Sequence, residues 1–275
     1  MKFGKFEISA PVFGSFRLDG GSMFGSVPKN IWSKRIPADS ENCIALVCRS
    51  LVIRDGKKTF LVDVGNGDKW TDKQREIYAF KNFPVDTLGF KASEITDVIL
   101  THLHFDHAGG ISRQTADGKL ELIYPQATIH LQASNLANAK SPTLKERASY
   151  FKENWGPCES GKLNLVNGSV EIYPDIWVHV INGHTAGQQW IEIRGDGRSM
   201  VFPSDLIPTA HHLPVPFHMG YDICAGTLLN EKAEFLERAE KGNWIVVFEH
   251  DRDTPAATVG RDKNGHFCVK DLINF

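Results

Sequence analysis

The stretch Thr101-His102-Leu103-His104-Phe105-Asp106-His107-Ala108-Gly109-Gly110 places three histidines and an aspartate within six consecutive positions. It directly follows the apolar run 97–100, which we predict to be a strand, so the start of the polar loop is fixed by regular structure. Imidazole nitrogen and carboxylate oxygen suit Zn²⁺, Fe or Mn, whereas thiolates are typical of structural zinc. The glycine pair is expected to let the backbone turn away after the loop. This spacing predicts a metal site rather than a polar surface loop.

Four further polar residues each lie where an apolar run ends: Asp63, His184, Asp205 and His250. Active sites of α/β folds gather at the ends of strands, where loops bring together side chains that are distant in sequence. A single such residue is more often a turn-forming aspartate or a loop histidine. The four together support the interpretation of residues 102–107 as part of a metal centre.

This set resembles the metallo-β-lactamase superfamily, which carries an Asp, the motif HxHxDH, a His, an Asp and a His in this order. The resemblance implies an α/β fold, an αβ/βα sandwich of two mixed β-sheets flanked by helices. It also implies a centre of two divalent metal ions, with Zn²⁺ as the default and Fe²⁺, Mn²⁺ or Co²⁺ as alternatives. The implied ligands are His102, His104 and His184 for one ion, Asp106, His107 and His250 for the other, and Asp205 as the bridge. Asp63 is implied to steady the ligand loop.

Two features of the sequence indicate which branch of the superfamily it resembles. Asp205 speaks against the β-lactamases of classes B1 and B3, which lack a bridging Asp, and the intact motif speaks against the diiron oxygen-reducing members. The segment Phe16–Lys29 resembles the YtnP-like lactonases, relatives of the N-acyl-homoserine lactone hydrolases and of the methyl parathion hydrolases. The resemblance therefore implies an enzyme that opens a lactone or cleaves another ester.

The expected reaction is attack by a bridging hydroxide on the substrate carbonyl. Asp106 is expected to shuttle the proton while it ligates. A tyrosine that some lactonases place shortly after the bridging Asp is absent here, so Tyr221 is the candidate general acid, with ordinary packing as the alternative. Met23, Phe24 and His212 are candidate substrate contacts, again with core or loop packing as the alternative.

The same motifs also allow three other functions. A glyoxalase II-like thioesterase has the same bridging Asp, but only the 25 residues after His250 are present for its C-terminal helical region. A metal-loaded binding module without catalysis is disfavoured, because every ligand position of the motif set holds a residue that can bind a metal ion. Nuclease members usually carry added domains and gain no support from the near-neutral charge.

Composition sets the remaining expectations. The 275 residues are 41% hydrophobic, typical of a globular protein, and we expect a single domain over 1–275 with a lid-like N-terminal segment at 1–36. The 31 basic and 33 acidic residues nearly balance, so a nucleic-acid partner is not expected. Five scattered cysteines indicate reduced thiols, and no signal peptide or membrane span is evident, which favours a cytoplasmic location. The expected partner is a small-molecule ester or lactone, and the sequence allows a homodimer.

The hydrophobic pattern predicts many short strands interrupted by a few helices. The predicted strands are 43–53, 59–64, 96–100, 127–131, 163–166, 177–181, 190–193, 199–202 and 244–248. The predicted helices are 72–80, 134–140, 143–153 and 228–241, the last with Asn230 as its cap. Residues 6–36 are predicted to form a glycine-rich loop rather than regular elements. His130 and His179 fall inside predicted strands and are expected to have no catalytic role.

Overall fold

Two seven-stranded β-sheets form the framework, one in each of the two units into which the chain divides. The computed structural model describes residues 1–275 without a gap. The first unit comprises residues 1–16 and 47–168, and the second comprises residues 17–46 and 169–275. The predicted single domain stays a prediction.

The strands of the first part of the chain are β1 (Lys2–Phe3), β2 (Phe6–Ser9), β3 (Val12–Asp19), β4 (Cys43–Arg49), β5 (Leu51–Arg54), β6 (Thr59–Val62), β7 (Lys81–Asn82), β8 (Asp97–Ile99), β9 (Ser112–Gln114), β10 (Leu120–Leu122), β11 (Thr128–Gln132) and β12 (Lys162–Val166). The remaining strands are β13 (Val170–Tyr173), β14 (Ile176–Ile181), β15 (Gln188–Gly195), β16 (Arg198–Phe202), β17 (Ile245–Val247), β18 (Ala256–Arg261) and β19 (Phe267–Ile273).

The helices are α1 (Gly20–Phe24), α2 (Lys29–Trp32), α3 (Asp72–Tyr78), α4 (Phe105–Ala108), α5 (Ala133–Lys140), α6 (Lys152–Trp155) and α7 (Ala225–Lys241). Single 3₁₀ turns occur at Val85–Thr87, Ala92–Glu94, Gly109–Ile111, Gly156–Ser160, Ser204–Leu206 and Ala210–His212. None of the helices has the length and the apolar character needed to cross a membrane.

The sheet of the first unit has the order β1-β2-β5-β6-β8-β11-β12. Its first strands pair antiparallel, whereas β6, β8, β11 and β12 run parallel to one another. The core positions of β6, β8 and β11 are almost fully buried, as is usual where parallel strands are covered on both faces. Because parallel strands end at the same edge, the loops after β6 and β8 emerge side by side.

The sheet of the second unit has the order β13-β14-β15-β16-β17-β18-β19. All its pairs are antiparallel except β16 with β17. Since β15 is antiparallel to both of its neighbours, β14, β16 and β17 all run in one direction. Their carboxyl ends therefore lie at a single edge of this sheet.

Helix α7 packs its apolar face on the sheet of the second unit. Leu228, Phe235, Leu236 and Ala239 recur at helical spacing and are buried together with Trp190 and Trp244 in one cluster. Burying several large side chains of this kind contributes roughly 1.5–3 kcal/mol each. The helix is thereby fixed as a rigid element beside the end of β14.

Most of the predicted strands and helices are confirmed, but four predictions are wrong. The predicted strand 43–53 is two strands, because the amide of Ser50 leaves the ladder and donates to the carbonyl of Pro11 at 2.9 Å. The predicted helix 143–153 is a series of turns followed by α6. There the Glu146 carboxylate accepts from Thr143 Oγ1 at 3.2 Å, and such local side-chain bonds compete with a helix.

The other two errors concern helix starts and the N-terminal segment. Helix α7 begins at Ala225, and Asn230 lies inside it, because the Cys224 amide is held by the Gly183 carbonyl at 2.9 Å. Residues 6–36 contain β2, β3, α1 and α2 rather than a loop. Helix α1 forms despite its two glycines, because the Asp19 side chain accepts from the Ser22 amide at 2.7 Å.

Candidate metal centre

The loop after β8 carries the predicted ligands of the first unit. His102, His104, Asp106 and His107 are all buried, the last two on the short helix α4. The ring of His102 lies 4.5 Å from that of His104 and 4.0 Å from that of His107, measured between centroids. Asp106 Oδ1 lies 3.6 Å from His107 Nε2. The structure thus brings these four side chains together in a buried cluster.

Asp63, at the end of β6, holds this loop from behind. Its Oδ1 accepts from the Thr101 amide at 2.7 Å, and its Oδ2 accepts from Thr101 Oγ1 at 2.6 Å. Oδ2 also lies 2.9 Å from Nδ1 of His107. Because a carboxylate only accepts, Nδ1 carries the proton and Nε2 keeps the lone pair that a metal ion needs. Asp63 adopts a φ of 52°, a left-handed conformation that costs free energy in a non-glycine residue and often occurs at functional sites.

The glycines after the ligands are required by close packing rather than by a turn. A Cβ atom on Gly109 would lie 2.0 Å from the carbonyl oxygen of Asn66, and one on Gly110 would lie 2.1 Å from that of Val64. Gly109 itself has an ordinary helical φ of −58°. Lys69 Nζ donates to the Gly109 carbonyl at 2.7 Å, and burial lowers the pKa of this lysine to about 8. These contacts lock the end of the loop against residues 64–69.

The second unit carries the other three predicted ligands at the carboxyl ends of β14, β16 and β17. His184, Asp205 and His250 are buried there. Asp205 Oδ2 lies 3.1 Å from His184 Nε2, and Asp205 Oδ1 lies 3.1 Å from His250 Nε2. Each carboxylate oxygen thus faces a different imidazole. The residue before it, Ser204, has a φ of 52°, another left-handed position beside a candidate ligand.

Asp222 is a residue to which the sequence assigned no role. Its Oδ1 lies 2.9 Å from Nδ1 of His184, and its Oδ2 accepts from the Met219 amide at 2.8 Å. Burial acts to raise the pKa of Asp222, but hydrogen bonds from His184 and His218 hold it below the ordinary value. Asp222 lies in the loop before α7 and not at a strand end, so the signal that identified the other site residues does not extend to it.

The predicted substrate contacts Met23, Phe24 and His212 form a packed group within the second unit. All three are buried, and the Phe24 ring stacks on His212 at 4.5 Å between centroids. His212 Nε2 lies 2.8 Å from the Met23 carbonyl oxygen, and its Nδ1 lies 2.7 Å from Thr209 Oγ1. Burial lowers the pKa of His212 to about 3, so its ring is neutral. Tyr221, the candidate general acid, is 39% exposed.

The candidate ligands that each unit carries have the donor chemistry of a divalent metal site. Their donors are imidazole nitrogens and carboxylate oxygens without a thiolate, the chemistry that catalytic Zn²⁺, Fe²⁺ or Mn²⁺ sites use. His107 and His184 each have Nδ1 bound to a buried carboxylate, so Nε2 is the candidate ligand atom of each ring. His130 and His179, by contrast, lie in β11 and β14 and pair with Asp97 and Glu192.

The chain belongs to the metallo-beta-lactamase superfamily, whose family model matches residues 44–250. A probable metallo-hydrolase of Mycobacterium bovis is 29% identical over 126 residues, which are 41% of this chain and 37% of that protein. An N-acyl homoserine lactonase of Bacillus cereus is 26% identical over 193 residues, 66% of this chain and 64% of that protein. The chain therefore spans less than two thirds of the length of these curated relatives.

Solved structures agree with the family assignment. A probable metal-dependent hydrolase from Staphylococcus aureus superposes with a TM-score of 0.88 at 25% identity, over 100% of both chains. AidC, a dizinc quorum-quenching lactonase, superposes with a TM-score of 0.78 at 18% identity, over 100% of this chain and 97% of its own. The second likeness bears on the fold alone. The predicted metallo-β-lactamase fold, with mixed sheets flanked by helices, is confirmed.

Proposed function

We propose that the chain is a metal-dependent hydrolase that holds two divalent metal ions. One ion is assigned to His102, His104 and His184, the other to Asp106, His107 and His250, with Asp205 as the bridge. The observation that carries this proposal is Asp205, whose two oxygens lie 3.1 Å from the Nε2 atoms of His184 and His250. A carboxylate that offers one oxygen to each of two neighbouring ligand sets suits a bridge between two cations.

Zn²⁺ is the ion we propose first. Nitrogen and oxygen donors in this ratio also accept Fe²⁺, Mn²⁺ or Co²⁺, so metal supply would influence which ion is bound. The five cysteines, all free thiols, are outside the ligand set.

When bound, two such ions would supply Lewis acidity that activates water and polarises a carbonyl oxygen. The protein's own residues handle the protons. Asp106 accepts the proton of the attacking water, and Tyr221, partly exposed, donates a proton to the leaving oxygen. Asp63 keeps His107 in the tautomer that binds through Nε2.

The substrate class we propose is a lactone or another ester, with N-acyl homoserine lactones as the first candidates. The support is the naming of relatives in Bacillus and Rhizobium as N-acyl homoserine lactonases, at 24–27% identity. Met23, Phe24 and His212 are proposed to shape the site for an acyl chain. Because they are packed against one another, they would act as a wall rather than as flexible contacts. The homodimer and the cytoplasmic location stay predictions.

Metal analysis together with a substrate panel tests this proposal. The purified protein should contain about two equivalents of metal per chain and should open N-acyl homoserine lactones of different chain length. Aryl esters, a phosphotriester and S-lactoylglutathione complete the panel. Higher activity on S-lactoylglutathione would favour a thioesterase instead. Two bound metal ions with no turnover of any member of the panel would contradict an ester-hydrolysing function.

A further inference from the structure

Asp222 and His184 form a buried pair in the second unit. Asp222 Oδ1 lies 2.9 Å from Nδ1 of His184, and both side chains are at most 2% exposed. Since the carboxylate can only accept, the proton stays on Nδ1 and the lone pair stays on Nε2. That same Nε2 lies 3.1 Å from Asp205. The pair has the carboxylate–histidine geometry that orients metal-binding imidazoles.

The backbone around Asp222 holds the His184 loop at two more points. The Ile223 amide donates to the His184 carbonyl at 3.0 Å, and the Cys224 amide donates to the Gly183 carbonyl at 2.9 Å. From α7, the Glu231 carboxylate accepts from the amides of residues 182 and 183 at 2.8 and 3.0 Å. The position of His184 is therefore set by the loop before α7 as much as by β14.

That loop is in turn seated on the N-terminal segment around α1. The Gly220 amide donates to the Ser22 carbonyl at 2.7 Å, and His218 Nε2 lies 3.4 Å from Ser26 Oγ. Gly25 has a φ of 54°, and a Cβ atom there would lie 2.8 Å from the His218 carbonyl oxygen. His218 Nδ1 lies 3.5 Å from Asp222 Oδ2. A continuous set of contacts therefore leads from α1 through His218 to Asp222 and His184.

We propose that Asp222 is a positioning residue for His184. The contacts between residues 20–26 and the loop 218–222 hold Asp222 in place and thereby set the affinity for the metal ion bound by His184. This inference rests on the proposed function, because it assumes that His184 is a ligand. The N-terminal segment, which holds no ligand itself, thereby controls how tightly the site binds its metal ion. Lys232 fixes the residues that precede this loop, because its Nζ donates to the carbonyls of Pro214 and Phe217 at 3.1 and 2.5 Å.

The test compares Zn²⁺ affinity, measured at pH 7 by chelator competition on metal-free protein, in four forms of the full chain. Asp222→Asn keeps the shape but presents an amide to His184. We expect its affinity for one of the two ions to fall about 10- to 100-fold, the range typical when such a partner is lost. Gly25→Ala should give a smaller fall of the same sign, because it displaces the His218 carbonyl without touching Asp222 or His184.

Glu192→Gln is the matched control. Glu192 is a buried carboxylate of the same unit, and its Oε2 lies 2.9 Å from His179 Nε2, but neither residue belongs to the ligand set. It should lose stability without a change in Zn²⁺ affinity. Substitution with Co²⁺ adds a spectroscopic readout, because only Asp222→Asn and Gly25→Ala should shift the visible absorption of the bound ion.

The outcomes separate this inference from the proposed function. Wild-type protein that binds no metal would overturn both. Wild-type protein that binds two ions, together with a folded Asp222→Asn variant of unchanged affinity and Co²⁺ spectrum, would overturn the inference alone. If Asp222→Asn fails to fold, Gly25→Ala decides: unchanged affinity in that variant overturns the role of the N-terminal segment, and weakened affinity supports it.

Discussion

Oδ2 of Asp63 lies 2.9 Å from Nδ1 of His107, and neither side chain is exposed to solvent. The same oxygen accepts from Thr101 Oγ1, so one carboxylate organises both ends of the ligand loop. This contact makes the strand β6 part of the candidate metal centre, although β6 itself supplies none of the proposed ligands. The left-handed φ of Asp63 indicates that its orientation is maintained at a conformational cost.

Replacing Asp63 with Asn should therefore weaken metal binding more than it weakens the fold. The amide cannot accept on both atoms, so His107 is released to the wrong tautomer and metal affinity should fall about 10- to 100-fold. Metal content after dialysis against a chelator measures the effect. Asp97→Asn is the control, since Asp97 lies 2.9 Å from His130 Nε2 in the same unit but at the start of β8. Equal metal loss in both variants would contradict a specific role for Asp63.

The buried polar positions of the candidate site could be located from the sequence, because each of them follows an apolar strand. His184, Asp205 and His250 lie at the ends of three strands that run in one direction. Short strands with a strong hydrophobic pattern can be predicted from their own residues alone. The contact of Asp222 with His184 could not be predicted, because the two residues are 38 positions apart in the sequence. No local pattern encodes such a distance.

In the N-terminal segment, residues 6–36, the local sequence pattern predicts the wrong structure. Its glycines favour a loop by composition, yet Gly20 is buried in α1, where a Cβ atom would lie 2.4 Å from the Trp32 ring. Only glycine lets the helix approach the tryptophan ring this closely. Helix propensity does not indicate which distant side chain a residue packs against. The start of α7 differs from the predicted one for a related reason, since the Cys224 amide is bound by the Gly183 carbonyl and no side chain caps the helix.

Asp205→Ala should prevent the binding of the proposed pair of metal ions. Without the two oxygens that face His184 and His250, the metal content is expected to fall from about two equivalents to one or fewer. Turnover should fall by more than the roughly 100-fold upper range for residues that only support a ligand. Elemental analysis and initial rates on the best substrate measure both effects. The exposed Asp253→Asn variant serves as control, and a residual activity shared by Asp205→Ala and His104→Ala would have to come from a contaminant.

His212 should make the stability of the protein depend on pH. Its pKa is lowered to about 3 in the folded state, whereas an unfolded histidine titrates near pH 6.5. The unfolded state therefore binds more protons at acidic pH, so the stability contribution is complete above pH 6.5 and declines as the pH falls toward 3. Between pH 6.5 and 5 the loss should be on the order of 1–2 kcal/mol. Urea unfolding of the metal-free protein measures it, and His212→Gln, less stable at pH 7, should show a flatter profile. Identical pH profiles would show that this residue is not the cause.

Gly183→Ala should disturb the metal centre through the backbone. A Cβ atom at this position would lie 2.3 Å from Cα of Leu228, inside the first turns of α7, so either the helix or the His184 loop must move. Since α7 is fixed by its buried apolar face, the loop should yield, at a cost of about 1–3 kcal/mol in unfolding free energy and with weaker metal binding. Gly226→Ala, in the same helix with no atom within 4 Å of its added Cβ, should instead be neutral or stabilise the fold by about 0.5–1 kcal/mol. Thermal unfolding and metal titration of the two variants provide the comparison. Full metal affinity in Gly183→Ala would mean that the helix yields rather than the loop, and that His184 is held chiefly by its own strand.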